Sequence, residues 1–69
     1  MTKSDLEGLK NIIERSGAMD SSNRDLIENA IWCIRNGNDY RAESSIRTLA
    51  ANLRNSGRYD LAEHAARLL

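Results

Sequence analysis

The sequence predicts an all-α fold, a small bundle of three or four helices. The chain of 69 residues contains no proline. Its apolar residues recur at intervals of three and four, and glycines separate these runs, as in successive amphipathic helices. A chain of this length forms one domain with a small core that is only marginally stable alone. We therefore expect a single helical domain over residues 1–69 that pairs as a homodimer.

The first predicted helix follows Ser4–Glu7, which has the pattern of a capping box. The helix ends at Arg15, Ser16 and Gly17, because a basic last turn and a glycine are typical of a helix C-terminus. Between these ends an apolar stripe recurs with helical spacing. It consists of Leu6, Leu9, Ile12 and Ile13.

The second predicted helix spans roughly 21–36, between N-cap candidates at 20–23 and the pair Asn36 and Gly37. At about 100° per residue its apolar residues form one broad arc. Because this arc is wide enough to meet two neighbours, we expect the second helix to be central. The arc consists of Leu26, Ile27, Ala30, Ile31, Cys33 and Ile34.

Two further helices are predicted, roughly at 39–55 and 59–69, separated by Ser56 and Gly57. The third helix has one apolar face, formed by Ala42, Ile46, Leu49, Ala50 and Leu53. The last helix is expected to bury Leu61, Ala62, Ala65, Leu68 and Leu69.

A weak repeat relates Arg35–Glu43 to Arg54–Glu63, each with a helix end, a glycine, a tyrosine and Ala-Glu. Through Gly57, Tyr59 and Ala62 the second copy resembles the inter-helix turn of a tetratricopeptide repeat. The copies are about 20 residues apart, whereas that family repeats every ~34 residues. We interpret the similarity as shared turn chemistry, in which glycine ends one helix and tyrosine packs across the corner.

Trp32 is the only tryptophan, and helical phase places it opposite the apolar arc of the second helix. Trp, Tyr and Arg are the residue types enriched at interaction hot spots. We therefore predict a protein-binding surface at the corner between the second and third helices. Its residues are Trp32, Arg35, Tyr40 and Glu28, with Arg41 and Arg47 as a rim. In the alternative, Trp32 packs inside the domain or in a dimer seam, and Tyr40 covers the turn.

A second functional alternative is a helix-turn-helix DNA-binding regulator, formed by the second and third helices. The outer face of the third helix has residue types that read base edges, namely Arg41, Ser44, Ser45, Thr48 and Asn55. The ten basic and ten acidic residues cancel. This balance argues against nucleic acid as the partner, because such binding normally requires a basic surface.

No pattern in the sequence indicates catalysis, a cofactor, a metal site or a small-molecule substrate. Cys33 and His64 are the only residues of their types, and they lie on different predicted helices. One His and one Cys cannot supply the ligands of a zinc site. No intrachain disulfide is possible, and the sequence has no apolar run typical of a signal peptide or membrane span. We expect a cytoplasmic protein.

The size, neutral charge, helical build and exposed corner of Trp32, Arg35 and Tyr40 resemble the small early proteins with which phages disable host factors. The nearest of these are the phage anti-activators of quorum sensing. The resemblance implies binding to the DNA-binding region of a LuxR-type transcription activator in the host cytoplasm, which blocks promoter binding. It also implies that a second host protein, such as a pilus motor ATPase, can be bound.

Overall fold

The computed structural model describes all 69 residues and contains four α-helices and no strand. The helices are α1 (Lys3–Arg15), α2 (Ser21–Arg35), α3 (Asp39–Asn55) and α4 (Tyr59–Ala66). The all-α bundle predicted from the sequence is confirmed. Helix α4 is shorter than expected, and Leu69 lies beyond its end with 49% of its surface exposed. The expectation that Leu69 is buried is therefore wrong. None of the helices has the length and apolar character to cross a membrane.

The N-terminus of α1 is capped two residues earlier than the sequence pattern suggested. The Thr2 hydroxyl accepts a hydrogen bond from the backbone N–H of Asp5, and the Asp5 carboxylate accepts one from the backbone N–H of Thr2, both at 3.1 Å. This reciprocal pair is the capping box, which therefore does not involve Ser4 and Glu7. The carboxylate of Asp5 also lies where the helix dipole favours a negative charge.

The C-termini of α1, α2 and α3 have the same geometry at intervals of 20 residues. Gly17, Gly37 and Gly57 each follow a helix end with φ of 74°, 75° and 77°, a left-handed conformation that glycine adopts without steric cost. The residue after each glycine donates its backbone N–H to a carbonyl five residues back, as in a Schellman motif. These carbonyls belong to Ile13, Cys33 and Leu53. The weak sequence repeat therefore corresponds to a C-terminal capping motif that is repeated along the chain.

Helix α3 is the centre of the bundle, with α2 packed along one side and α4 along another. Helix α1 packs against α2 and, over a shorter length, against α4. Helix α2 meets two neighbours as predicted, but it is not the central helix, because α3 packs more extensively and Leu26, Ile31 and Ile34 of α2 are only partly buried. Helix α3 contributes the largest buried set, namely Ala42, Ile46, Leu49, Ala50 and Leu53.

Two ion pairs show the register between α1 and α2. Lys10 Nζ lies 3.4 Å from Glu28 Oε2, and Arg24 Nη1 lies 3.7 Å from Glu14 Oε1. Since the partner number falls along α2 as it rises along α1, the helices are antiparallel. The N-terminal half of α1 therefore lies beside the C-terminal half of α2, where Trp32 is found.

The core contains no aromatic side chain. Its 14 residues are leucine, isoleucine, alanine and Cys33. All three aromatic residues are exposed: Trp32 at 59%, Tyr40 at 79% and Tyr59 at 65%. The expectation that the two tyrosines pack across the helix corners is therefore wrong. The exposure predicted for Trp32 from helical phase is confirmed.

Candidate protein-binding surface

A surface groove of about 330 Å³ runs between the N-terminal half of α1 and the C-terminal half of α2. We call it the Trp32 groove. Helix α2 contributes three of the residues predicted as contacts, and one partly buried apolar side chain, Ile31, lies with them. Helix α1 contributes three charged residues. The full lining is Lys3, Glu7, Lys10, Glu28, Ile31, Trp32 and Arg35.

The position of Trp32 follows from the phase of α2. Glu28 lies one turn before it and faces α1, since its carboxylate pairs with Lys10. Trp32 therefore stands on the outer part of the side of α2 that faces α1. Trp32 lines the groove together with residues of α1, and 59% of its surface is exposed. The result is a large, partly supported aromatic side chain at the edge of a groove.

The charges around the groove are mixed, and several lack a partner within the protein. Lys10 and Glu28 form an ion pair. Arg35, Lys3 and Glu7 form none within 4.0 Å. Ion pairs between exposed groups contribute little to the free energy of unfolding, so leaving these three charges unpaired has little effect on stability. They are available to select and orient a partner, which is the principal effect of charge at interfaces.

The other three predicted contact residues do not line the Trp32 groove. Tyr40 and Arg41 are exposed on the first turn of α3, and Arg47 is exposed farther along that helix. Tyr40 and Arg47 are seven residues apart and so share one side of α3. The structure thus distributes the predicted residues over two surfaces, the groove between α1 and α2 and the outside of α3.

Sequence reasoning did not identify the α1 side of the groove, formed by Lys3, Glu7 and Lys10. These residues have no distinguishing local pattern, because charged residues on the outer face of an amphipathic helix are ordinary. Their place beside Trp32 depends on the antiparallel register of α1 and α2. The one available signal was the opposite charge of Lys10 and Glu28, which is informative only once the helices are known to be neighbours.

Cys33 and His64 are not brought together. Cys33 is a free thiol in the core, 1% exposed. His64 is exposed on α4 and lines a separate shallow groove with residues of α1, among them Asp5 and Leu9. No group of three or more His, Cys, Asp or Glu side chains has the geometry to hold a metal ion. Cys33 and His64 therefore belong to different parts of the molecule, the core and the surface of α4.

A polar cleft of about 290 Å³ lies at the opposite end of α2, near the C-terminus of α3. Its most buried side chain is Asn23, 4% exposed, whose Nδ2 donates to the Ala18 carbonyl at 3.0 Å. Nearby, Arg58 Nη2 donates to the Ser16 carbonyl at 2.6 Å and joins the α3–α4 turn to the end of α1. No buried polar side-chain atom lacks a hydrogen-bond partner. These bonds hold the connections between the helices in place.

No protein-family model, curated protein or solved structure matches this chain. The candidate function is therefore argued from the chemistry and geometry of the surface. The Trp32 groove combines an exposed indole, a partly buried isoleucine and unpaired charges of both signs. This combination is typical of a protein-binding surface.

Proposed function

We propose that this protein is a non-enzymatic regulator that binds another protein through the Trp32 groove and alters its activity. Trp32 is the anchor in this proposal, and Glu28 and Arg35 are its polar flanks. The observation that carries the proposal is that the chain keeps its largest apolar side chain 59% exposed while building its core from aliphatic residues alone. An indole so placed adds little to folding and much to binding.

The free energy available from covering the indole supports the role of Trp32 as an anchor. A buried tryptophan removes on the order of 250 Å² from water. At ~25 cal/mol/Å², covering the exposed 59% of Trp32 contributes roughly 3–4 kcal/mol before the cost of ordering the partner. Hot-spot residues typically contribute ~2 kcal/mol or more. Trp32 alone therefore has the capacity to dominate the affinity of this surface.

The resemblance to phage anti-activators gives the proposal a partner class, a LuxR-type transcription activator bound at its DNA-binding region in the host cytoplasm. Such binding would inhibit the activator by preventing promoter binding. The small core also favours self-association. A second copy of the chain is therefore the alternative occupant of the Trp32 groove.

Protein binding is better supported than DNA reading by α3. Ser45 is only partly exposed, and its hydroxyl accepts a hydrogen bond from Asn29 Nδ2 at 2.8 Å in the contact between α2 and α3. The Thr48 hydroxyl donates to the Ser44 carbonyl of its own helix at 3.2 Å. Two of the side chains expected to contact bases are thus engaged within the protein.

The test is a pull-down from host lysate with wild-type, Trp32→Ala and Tyr59→Ala baits in parallel, followed by mass spectrometry. Tyr59→Ala is the matched control, because it also truncates an exposed aromatic residue but lies on α4. We expect a partner that wild type and Tyr59→Ala retain and Trp32→Ala loses. With that partner purified, calorimetry should show about a 30-fold weaker affinity for Trp32→Ala, equivalent to ~2 kcal/mol.

Two results would contradict the proposal. The first is a folded Trp32→Ala protein, judged by circular dichroism, that binds every partner with wild-type affinity. The second is a wild-type protein whose indole is covered by a second copy at all working concentrations, which sedimentation and tryptophan fluorescence would reveal. If the partner is a transcription activator, adding the protein should also release the activator from promoter DNA.

A further inference from the structure

The outer face of α3 is a second surface with a different chemical character. Eight residues of this face are exposed, and none of them is acidic. Three are arginines, and none of these forms an ion pair within 4.0 Å. We call this set the α3 outer face: Tyr40, Arg41, Ser44, Arg47, Thr48, Ala51, Arg54 and Asn55. In a chain with zero net charge, all the charged residues of this set on the longest helix are arginines, and the half-buried Glu43 lies at its edge, four residues before Arg47.

Five residues of this face follow the spacing of a helix-packing seam. Tyr40, Ser44, Arg47, Ala51 and Arg54 are separated by four, three, four and three residues, the alternation with which one helix meets another along its length. Long side chains alternate with small ones. The small residues let a partner backbone approach closely, and the long ones extend over its flanks.

The seam lies on the side of α3 that faces away from α2. Ser45 marks the side of α3 that contacts α2, because its hydroxyl is bonded to Asn29. Arg47 and Arg54 follow Ser45 by two and nine residues, which places them about 180° around the helix. The Trp32 groove lies on the far side of α2, between α2 and α1. A partner on one surface therefore leaves the other free.

We propose that the α3 outer face docks an acidic amphipathic helix of a partner protein, separately from the Trp32 groove. The charge of the face selects a partner with carboxylates. The spacing selects a helix, since arginines seven residues apart repeat about every 10 Å along α3, as do carboxylates at every seventh position of a second helix. Duplex DNA is the other polyanion that such a face could attract, but the chain has zero net charge, whereas nucleic-acid binding normally requires a net basic surface.

The test uses a fluorescently labelled, alanine-based helical peptide of three heptads with glutamate at every seventh position. Anisotropy should show binding that weakens as salt is added. The variant Arg47→Glu/Arg54→Glu should bind this peptide at least about tenfold more weakly. The same variant should gain affinity for a peptide with lysine at the glutamate positions. This exchange of preference requires direct pairing across the seam.

A matched control separates local pairing from total charge. Arg15→Glu/Arg67→Glu changes the net charge equally at exposed residues of α1 and beyond α4, and should bind the glutamate peptide as wild type does. Trp32→Ala should also retain this affinity, so the result is independent of the function proposed for the groove. Absence of glutamate-peptide binding, an equal loss in the control, or tighter binding to duplex DNA at the same salt would each overturn the proposal.

Discussion

The interior and the surface of this protein use different kinds of apolar residue. The core contains aliphatic side chains and one thiol, with Ile46, Leu49 and Leu53 fully buried on α3. The aromatic residues Trp32 and Tyr40 are on the outside. Aromatic side chains usually dominate small cores because each buries a large area. In this protein the core forms without aromatic side chains.

This division indicates which residues evolution could vary for binding without loss of the fold. Removing a side chain from the interior leaves a cavity, whereas removing one from the surface leaves water in contact with the neighbouring atoms. The free energy of unfolding should therefore fall steeply for truncations in α3 and little for truncations of the aromatic residues.

The largest effect is expected for Leu49→Ala. Leu49 is fully buried in the central helix, and such truncations lower the free energy of unfolding by about 3–4 kcal/mol. A domain of this size has only about 5 kcal/mol in total, so the variant should be close to its unfolding midpoint. Urea denaturation followed by circular dichroism measures the change.

The neighbouring variant Thr48→Ala is the control for Leu49→Ala. Thr48 is exposed, and alanine has the higher helix propensity, so its free energy of unfolding should stay within about 0.5 kcal/mol of wild type. If Leu49→Ala lost less than about 1 kcal/mol, α3 would not be the centre of the core.

Cys33→Ser should have an intermediate effect. It places a hydroxyl among aliphatic side chains at a site that is 1% exposed, which lowers the free energy of unfolding by about 1–2 kcal/mol. Cys33→Ala should cost less than serine, because it adds no buried polar group. Both variants should bind the partner as wild type does while folded. A folded serine variant without function would instead assign the thiol a chemical role.

Most of the fold was predictable because its signals are local. Helices α1, α2 and α3 each end at a glycine, and the N-cap Asp20 lies among the candidates at 20–23. The central helix was not predictable from its apolar arc. The arcs of α2 and α3 are both broad, and the choice between them depends on how all four helices pack. Leu26 and Ile34 therefore belong to a partly buried rim.

The candidate site was predictable on one helix only. Helical phase placed Trp32, Glu28 and Arg35 on one side of α2, and the structure keeps them together in one groove. Phase within a single helix cannot show which neighbour completes a surface, so Lys3 and Glu7 were missed. The grouping of Tyr40 with Trp32 assumed that residues near one turn share one side, but side-chain direction changes by about 100° per residue.

Trp32→Ala tests the division between interior and surface most directly. The residue is 59% exposed, so its truncation should lower the free energy of unfolding by about 1–2 kcal/mol, below the value for Leu49→Ala. Thermal melts at two protein concentrations measure this and reveal dimerisation, which would raise the wild-type midpoint at the higher concentration. A loss of about 3 kcal/mol or more would place the indole in the fold or in an obligate dimer seam.

The smallest effect is expected for Tyr40→Ala. Tyr40 is the most exposed aromatic residue, at 79%, and its hydroxyl forms no hydrogen bond within the protein. Alanine has the higher helix propensity on the first turn of α3, and this gain offsets the small area of lost contact. The free energy of unfolding should therefore remain within about 0.5 kcal/mol of wild type in urea denaturation. A loss above about 1 kcal/mol would mean that the ring packs across the α2–α3 turn after all. The separation of an aliphatic core from exposed aromatic residues would then not hold for Tyr40, and Tyr40 would no longer belong to the seam on α3.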